Sequence, residues 1–166
     1  IGAYGKNREP GKFVGSTTQK VFRNAHCPVL AVKNIVDGRA MKKLVFASLF
    51  NEISKPAFIR LKPFIKSIRT VVYFLFVNTP ENFIDTHKAE ERMGEYAYGQ
   101  EELLIHRHIY NHDEVEKGII AFAEKEKAGI IAIASNLRKS NSAYQIGVTD
   151  TVLYKSEIPV LSVKFE

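Results

Sequence analysis

Short apolar runs alternate along most of this chain with segments whose apolar residues recur at helical spacing. The runs have strand length, and the run 70–79 is apolar on both faces, as in a buried parallel sheet. The helical segments each present one apolar stripe, the first of which consists of Ile53, Ala57, Leu61, Phe64 and Ile68. The pattern predicts strands over 43–50, 70–79, 103–110, 128–134 and 159–165.

Strands that alternate with helices predict an α/β fold with a doubly wound, mostly parallel five-stranded sheet. In such sheets ligands bind beyond the carboxyl ends of the strands. Pro63, inside the first helical stripe, predicts a kink. Asp113 and Glu116 have the spacing of a capping box before a later helix. The polar segment 80–98 predicts a short helix with loops.

An internal repeat divides the chain. Residues 15–33 and residues 147–164 both run from a glycine through a short helical segment to Pro-Val-Leu-x-Val-Lys. Each proline would begin a strand, where proline is tolerated. A module that ends in this way ends twice, so we predict a C-terminal remnant of a first domain over 1–37 and a second, nearly complete domain over 38–166.

The first residues carry the sharpest motif, because Gly2, Gly5, Gly15 and Ser16 obey the spacing Gly-x2-Gly-x9-Gly-Ser. Glycines let backbone N–H groups approach a phosphate closely, and a helix that begins after the last glycine directs its free N–H groups at the same anion. The alternative is a glycine-rich turn that binds nothing. Together with the following helix and Pro-Val-Leu strand, the motif resembles the ATP-binding loop of the universal stress protein family.

That resemblance implies an adenine nucleotide alpha hydrolase-like fold. It also implies that Gly2, Gly5, Gly15, Ser16 and Thr17 contact the phosphates of ATP. Most of the first domain does not lie within this chain, so Ile1 is expected to be a cleavage product or the start of the ordered part of a longer chain.

The second module departs from the family pattern. Counting back from Gly147, the two earlier glycine positions fall on Ala134 and Leu137, and the serine position falls on Val148. Family members usually end their first strand in an aspartate that meets the adenosine, whereas Leu49 stands at that position here. A missing hydrogen-bonding group or a blocked backbone approach weakens such a site. We therefore expect the second site to be degenerate.

The resemblance further implies that the last strands of two modules pair antiparallel. Val29 to Val32 would then lie against Val160 to Val163, either between domains of one chain or in a homodimer. Such pairing would cover an otherwise exposed sheet edge.

Composition adds few constraints. The net charge is +6, which suits phosphate-bearing ligands as well as ordinary solubility. The basic residues are scattered without interleaved aromatics, so nucleic-acid binding is not expected. One cysteine excludes an intrachain disulfide, and no apolar run approaches the roughly 18 residues of a membrane helix. We expect a cytoplasmic protein with no membrane partner.

Three smaller groups of residues were weighed for chemistry. His106, His108, His112 and Asp113 could suggest a metal site, but a solvated or hydrogen-bonded strand face is the better interpretation. Cys27 is expected to be buried and inert, and the glutamates between residues 90 and 102 to form a solvated face. The sequence therefore predicts no catalytic residue and no metal.

The resulting hypothesis is a nucleotide-responsive stress protein that is not an enzyme. Its first module would hold ATP and its second would have a structural or dimerising role. The alternatives are an interaction module that binds no nucleotide, and a weak ATPase.

Overall fold

A computed structural model describes residues 1–3, 14–136 and 146–165 of the chain. Its strands are β1 (Val29–Ala31), β2 (Lys43–Ala47), β3 (Val71–Asn78), β4 (Ile105–Asn111), β5 (Ile130–Asn136) and β6 (Val160–Phe165). Its α-helices are α1 (Ser16–Asn24), α2 (Lys55–Ile68), α3 (Thr86–Ala97), α4 (Val115–Lys125) and α5 (Ile146–Lys155). Within these residues, no helix is both long enough and apolar enough to cross a membrane.

All six strands form one sheet in the order β1-β6-β5-β2-β3-β4. The pairs from β6 through β4 are parallel, as the five-stranded doubly wound prediction requires. The chain winds outward from β2 to β4 and then returns to the other side of β2 with β5. This reversal puts a topological switch point between β2 and β5, and ligands of α/β sheets bind outside the strand ends at such a point.

Two apolar layers cover the sheet. The first layer packs α2 and α3 against one face through Phe58, Leu61, Ile65 and Met93, among others. The second packs α1, α4 and α5 against the opposite face, with Phe22, Ile119, Phe122 and Val152 among its members. Helices on both faces explain why β2, β3 and β5 are apolar on both sides.

Strand β1, which lies within residues 1–37, pairs antiparallel with β6 and places Leu30 opposite Leu161. Residues 1–3 continue on the far side of β1 through a parallel bridge from Gly2 to Val32. Arg23 on α1 donates to the Asp150 carboxylate on α5 at 2.8 Å. The segment that contains α1 and β1 is therefore joined to the rest of the chain by both a sheet and a helix contact.

The segment between the modules is docked on the second one. Asp37 begins a 3₁₀ helix over Gly38–Lys42, and its side chain accepts a hydrogen bond from the Arg39 N–H. A Cβ atom on Gly129 would lie 1.9 Å from the Ala40 carbonyl oxygen. The backbone of this helix therefore touches the residue that precedes β5, and only a glycine leaves room for it.

Several local predictions were wrong. Strand β2 ends at Ala47 rather than continuing to Phe50. Ile53, expected in the apolar stripe of α2, lies before that helix and is 63% exposed. The expected capping box is absent, because the N-cap of α4 is Glu114 and no side-chain bond caps it.

The polar segment after β3 is more regular than its sequence suggested. Helix α3 has 12 residues, and the Asp85 side chain caps it by accepting from the Lys88 N–H at 2.8 Å. Ala89, Met93 and Tyr96 form its buried stripe. Cys27 is exposed, which corrects the expectation of a buried thiol, because it lies in the bend before β1 rather than in the strand.

Candidate functional site

The first candidate site is the base of the glycine loop. The Ala3 N–H donates to the Val32 carbonyl at 2.9 Å, and the Gly15 N–H donates to the Ala3 carbonyl at 3.0 Å. These bonds bring Gly2 and Gly15 to one sheet edge, at the start of α1. Gly5 lies in the segment 4–13, outside the described residues, and so does the side chain of Ser16.

Gly15 has φ −57° and ψ 143°, a conformation that any residue can adopt. A glycine at this position therefore contributes the absence of a side chain, and a left-handed backbone is not required. Gly15 gives α1 no side-chain cap, and the first turn of a helix has N–H groups without intrahelical partners. Thr17 in that turn is exposed. This arrangement favours an anion at the start of α1.

Thr18, in the first turn of α1, is a residue that the motif did not single out. It is 3% exposed, and its hydroxyl donates to the Gly2 carbonyl at 3.1 Å. The bond fixes the first glycine to the first turn of α1. Three hydroxyl residues follow Gly15 in the sequence, but no pattern among them indicated that Thr18 would bond to Gly2.

The second candidate site is the switch point at the carboxyl end of β2. Because β1 runs antiparallel to the other strands, this site and the glycine loop lie at opposite edges of the sheet. Leu49 is partly buried and packs against both apolar layers. Phe50 is 1% exposed and has φ 49°, which is rare for a bulky side chain.

The Phe50 ring lies in the apolar layer behind this strand end. It packs against Phe74 at 5.0 Å and Tyr96 at 5.1 Å between ring centroids, and edge-on to Phe46 at 5.8 Å. The turn after β2 therefore directs an aromatic ring into the apolar layer beneath α2 and α3. No carboxylate lies at this strand end among residues 47–51.

The hydroxyl groups near Phe50 are occupied by one another. Ser54 Oγ lies 3.0 Å from Ser48 Oγ and 2.6 Å from the Tyr96 hydroxyl. Tyr96 donates to the Asn51 carbonyl, and the Phe50 N–H donates to Ser48 Oγ at 3.2 Å. Burial raises the pKa of Tyr96 to about 12. These bonds connect Ser48, Ser54, Tyr96 and the Asn51 carbonyl in one network at the turn.

The start of α5 departs from the start of α1. Ala134 is 1% exposed within the apolar layer of α2 and α3, and Val148 packs against the other layer. Leu137 lies outside the described residues. Thr149 is 3% exposed, and its hydroxyl has no hydrogen-bond partner among the residues that the structure describes. The second copy of the motif thus places apolar groups where the first has Gly2 and Ser16.

The histidines of β4 face Tyr73 rather than a metal. The His108 ring stacks on Tyr73 at 4.8 Å, and the His106 ring meets Tyr73 edge-on at 5.1 Å. In the described part of the chain, no group of three metal-ligating side chains occurs. His112 lies instead beside Asp113 at the end of β4.

His108 gives the fold a pH dependence. Burial lowers its pKa, against the opposing effect of Glu126; His106, Lys43 and Lys125 lower it further. The unfolded chain therefore binds this proton more readily than the folded one, and stability falls as the pH drops below about 6.5. Chemical denaturation at pH 7.5 and 5.5 should show this loss. The loss should shrink in His108→Phe, and an equal loss in that variant would contradict the assignment.

Comparisons with known proteins identify the fold. The sequence matches no protein-family model and no curated protein. A universal stress protein from Archaeoglobus fulgidus DSM 4304 superposes with a TM-score of 0.69 at 23% identity, over 92% of this chain and 55% of that one. A functionally unknown protein from Pseudomonas aeruginosa PAO1 gives 0.67 at 19% identity, over 99% and 62%.

A shorter neighbour aligns over nearly its whole length. It is a universal stress protein from Archaeoglobus fulgidus in complex with dAMP, with a TM-score of 0.56 at 18% identity, over 75% of this chain and 98% of that one. The chain thus has the fold of universal stress proteins, and it spans between 55% and 62% of the two longer neighbours.

Proposed function

We propose that this chain is part of a tandem universal stress protein whose first module, residues 1–37, supplies a phosphate loop for an adenine nucleotide. In this proposal the second module, residues 38–166, has lost its nucleotide site and serves as a structural partner. The observation that carries the proposal is the carboxyl end of β2, where the partly buried Leu49 stands in place of a carboxylate.

The first module supports the proposal from the opposite direction. Gly2 and Gly15 lie at the base of the loop, and the first turn of α1 offers N–H groups beside the exposed Thr17. A neighbour with this fold is solved with dAMP. We propose ATP as the ligand because a triphosphate gives such a loop the most charge to hold.

The proposed role is a nucleotide-dependent contact rather than catalysis. Occupancy of the loop would order the edge of the sheet next to β1 and change which surfaces the protein offers in the stressed cell. We place this role in the cytoplasm. We also propose that a homodimer forms through the edge of the sheet next to β1.

The test is a titration of the ¹⁵N-labelled chain with ATP and with inorganic tripolyphosphate. Both ligands are expected to shift the amide signals of Thr17 and Thr18 and to leave those of Leu49 and Phe50 unmoved. Gly15→Val should weaken binding at least tenfold, or about 1.4 kcal/mol, since its side chain obstructs the approach of the anion. The backbone of Gly15 accepts valine without strain, so the fold should persist.

Gly147→Ala is the matched control, because it changes the corresponding glycine of the second module, where an added Cβ meets no atom within 4 Å. It should leave the titration unchanged. Shifts at Leu49 and Phe50 would show that the second module binds nucleotide. Shifts nowhere would contradict the proposal that the loop of this chain binds phosphate.

A further inference from the structure

A groove of about 540 Å³ lies at the amino edge of the sheet, where α2 ends and β3 and β4 begin. We call it the amino-edge groove. The switch point at the end of β2 lies at the opposite, carboxyl edge, and the glycine loop lies beyond β1 at the other end of the strand order. The groove is therefore separate from both nucleotide-type sites, and its volume is within the range of small-molecule pockets.

The floor of the amino-edge groove is apolar. Ile65 is fully buried at its base, and Val71 and Leu103 continue the surface. Leu104 forms a side and is 60% exposed. The Leu104 carbonyl accepts from the Val72 N–H at 2.9 Å, so the backbone that carries this side chain is held by the sheet. An alkyl chain in the groove would remove this apolar surface from water.

The rim of the groove is basic. Glu102 lies 3.0 Å from the Lys66 ammonium and 3.4 Å from that of Lys62. The hydrogen bond from Lys66, followed by a backbone bond, lowers the pKa of Glu102 to about 2. This carboxylate is therefore ionised and shared between two lysines, which leaves the rim with excess positive charge.

Arg69 provides a further positive charge beside the groove. It ends α2 in the left-handed conformation, with φ 51°, and its N–H is bonded to carbonyls of α2. Its backbone is thereby fixed beside the groove. Among the described residues, its guanidinium forms no hydrogen bond and no ion pair. A guanidinium presents parallel N–H groups that match a carboxylate.

We propose that the amino-edge groove binds a small amphipathic carboxylate, with its alkyl chain on Leu103 and Leu104 and its carboxylate on the Arg69 guanidinium. Charge complementarity selects the occupant, because the apolar floor accepts a chain of any kind and the basic rim favours only an anionic head. The proposal does not depend on nucleotide binding at the glycine loop.

The test uses octanoate as the probe and the chain labelled with ¹³C in its isoleucine, leucine and valine methyl groups. Octanoate should shift the methyl signals of Ile65, Leu103 and Leu104 saturably. Octylammonium, which has the same chain and the opposite charge, should not. Saturable binding of both probes with equal affinity would overturn the proposal, and so would no saturable shift by octanoate.

Variants of Arg69 test the carboxylate contact. Arg69→Gln should weaken octanoate binding at least about fivefold, whereas Arg69→Lys, which keeps the charge, should recover part of the loss. Arg92→Gln, on α3 and outside the groove lining, is the matched control and should bind as the wild type does. Thermal unfolding of each variant verifies its fold. Unchanged octanoate affinity in a folded Arg69→Gln protein would overturn the assignment.

Discussion

Replacing Gly129 with alanine is expected to destabilise the protein by about 3 kcal/mol. The added Cβ would lie 1.9 Å from the Ala40 carbonyl oxygen and 2.8 Å from the Met41 Cα. Both atoms belong to backbone, so no side chain can rotate away, and the 3₁₀ helix over Gly38–Lys42 would have to leave its place. Urea denaturation followed by circular dichroism measures the change directly.

Gly38→Ala is the control for this experiment. Gly38 belongs to the same 3₁₀ helix, and a Cβ there would meet nothing within 4 Å. The free energy of unfolding of that variant should lie within about 0.5 kcal/mol of the wild-type value. If Gly129→Ala were equally stable, the segment between the modules would not be docked as described.

The second large effect concerns Phe50. Phe50→Ala is expected to cost about 4 kcal/mol, because it empties the centre of the ring cluster formed with Phe46, Phe74 and Tyr96. Phe50→Gly should be the more stable of the two by about 1 kcal/mol. Glycine adopts φ 49° without the strain that alanine retains there.

The relative stability of Phe50→Ala and Phe50→Gly is the informative result, since a glycine variant is ordinarily less stable than the alanine variant. Phe58→Ala and Phe58→Gly provide the comparison, because Phe58 belongs to the same cluster but lies inside α2. There the alanine variant should be the more stable. If alanine were also preferred at position 50, the backbone at Phe50 would not be strained.

Much of the fold could be predicted because its signals are periodic and local. The buried runs that became β3 and β5 and the stripe of α2 are apolar over whole elements. Boundaries were harder, as β2 shows. Its apolar sequence continues past Ala47, yet the backbone turns there, and Phe50 packs inward from a turn rather than from a strand.

At Pro63 and in the polar segment of α3, the structure depends on packing that the local sequence does not show. Pro63 removes one helical hydrogen bond, and packing of Leu61 and Ile65 in the apolar layer outweighs that loss. In α3, the buried positions Ala89, Met93 and Tyr96 are separated by charged residues, so the stripe was hidden in a segment of low mean hydropathy.

For the candidate sites, residue type was predictable and contact was not. The glycine spacing marked the loop, and the bond from the Gly15 N–H to the Ala3 carbonyl at its base appears only in the structure. The bond from Thr18 to Gly2 depends on the fold. Leu49 predicts a degenerate second site, whereas the bonds of Phe50, Ser48 and Ser54 at the same turn required the direction of each side chain.

The pairing of β1 with β6 has a consequence for the order in which the chain can acquire its structure. Arg23 and Asp150 meet although 127 positions separate them, and the strands they flank pair near the two ends of the chain. Contacts between such distant residues form slowly, because a long loop must close first. During synthesis, residues 14–32 leave the ribosome long before their partners do. The contacts of β1 and Arg23 with β6 and α5 are therefore expected to be among the last that residues 14–165 form.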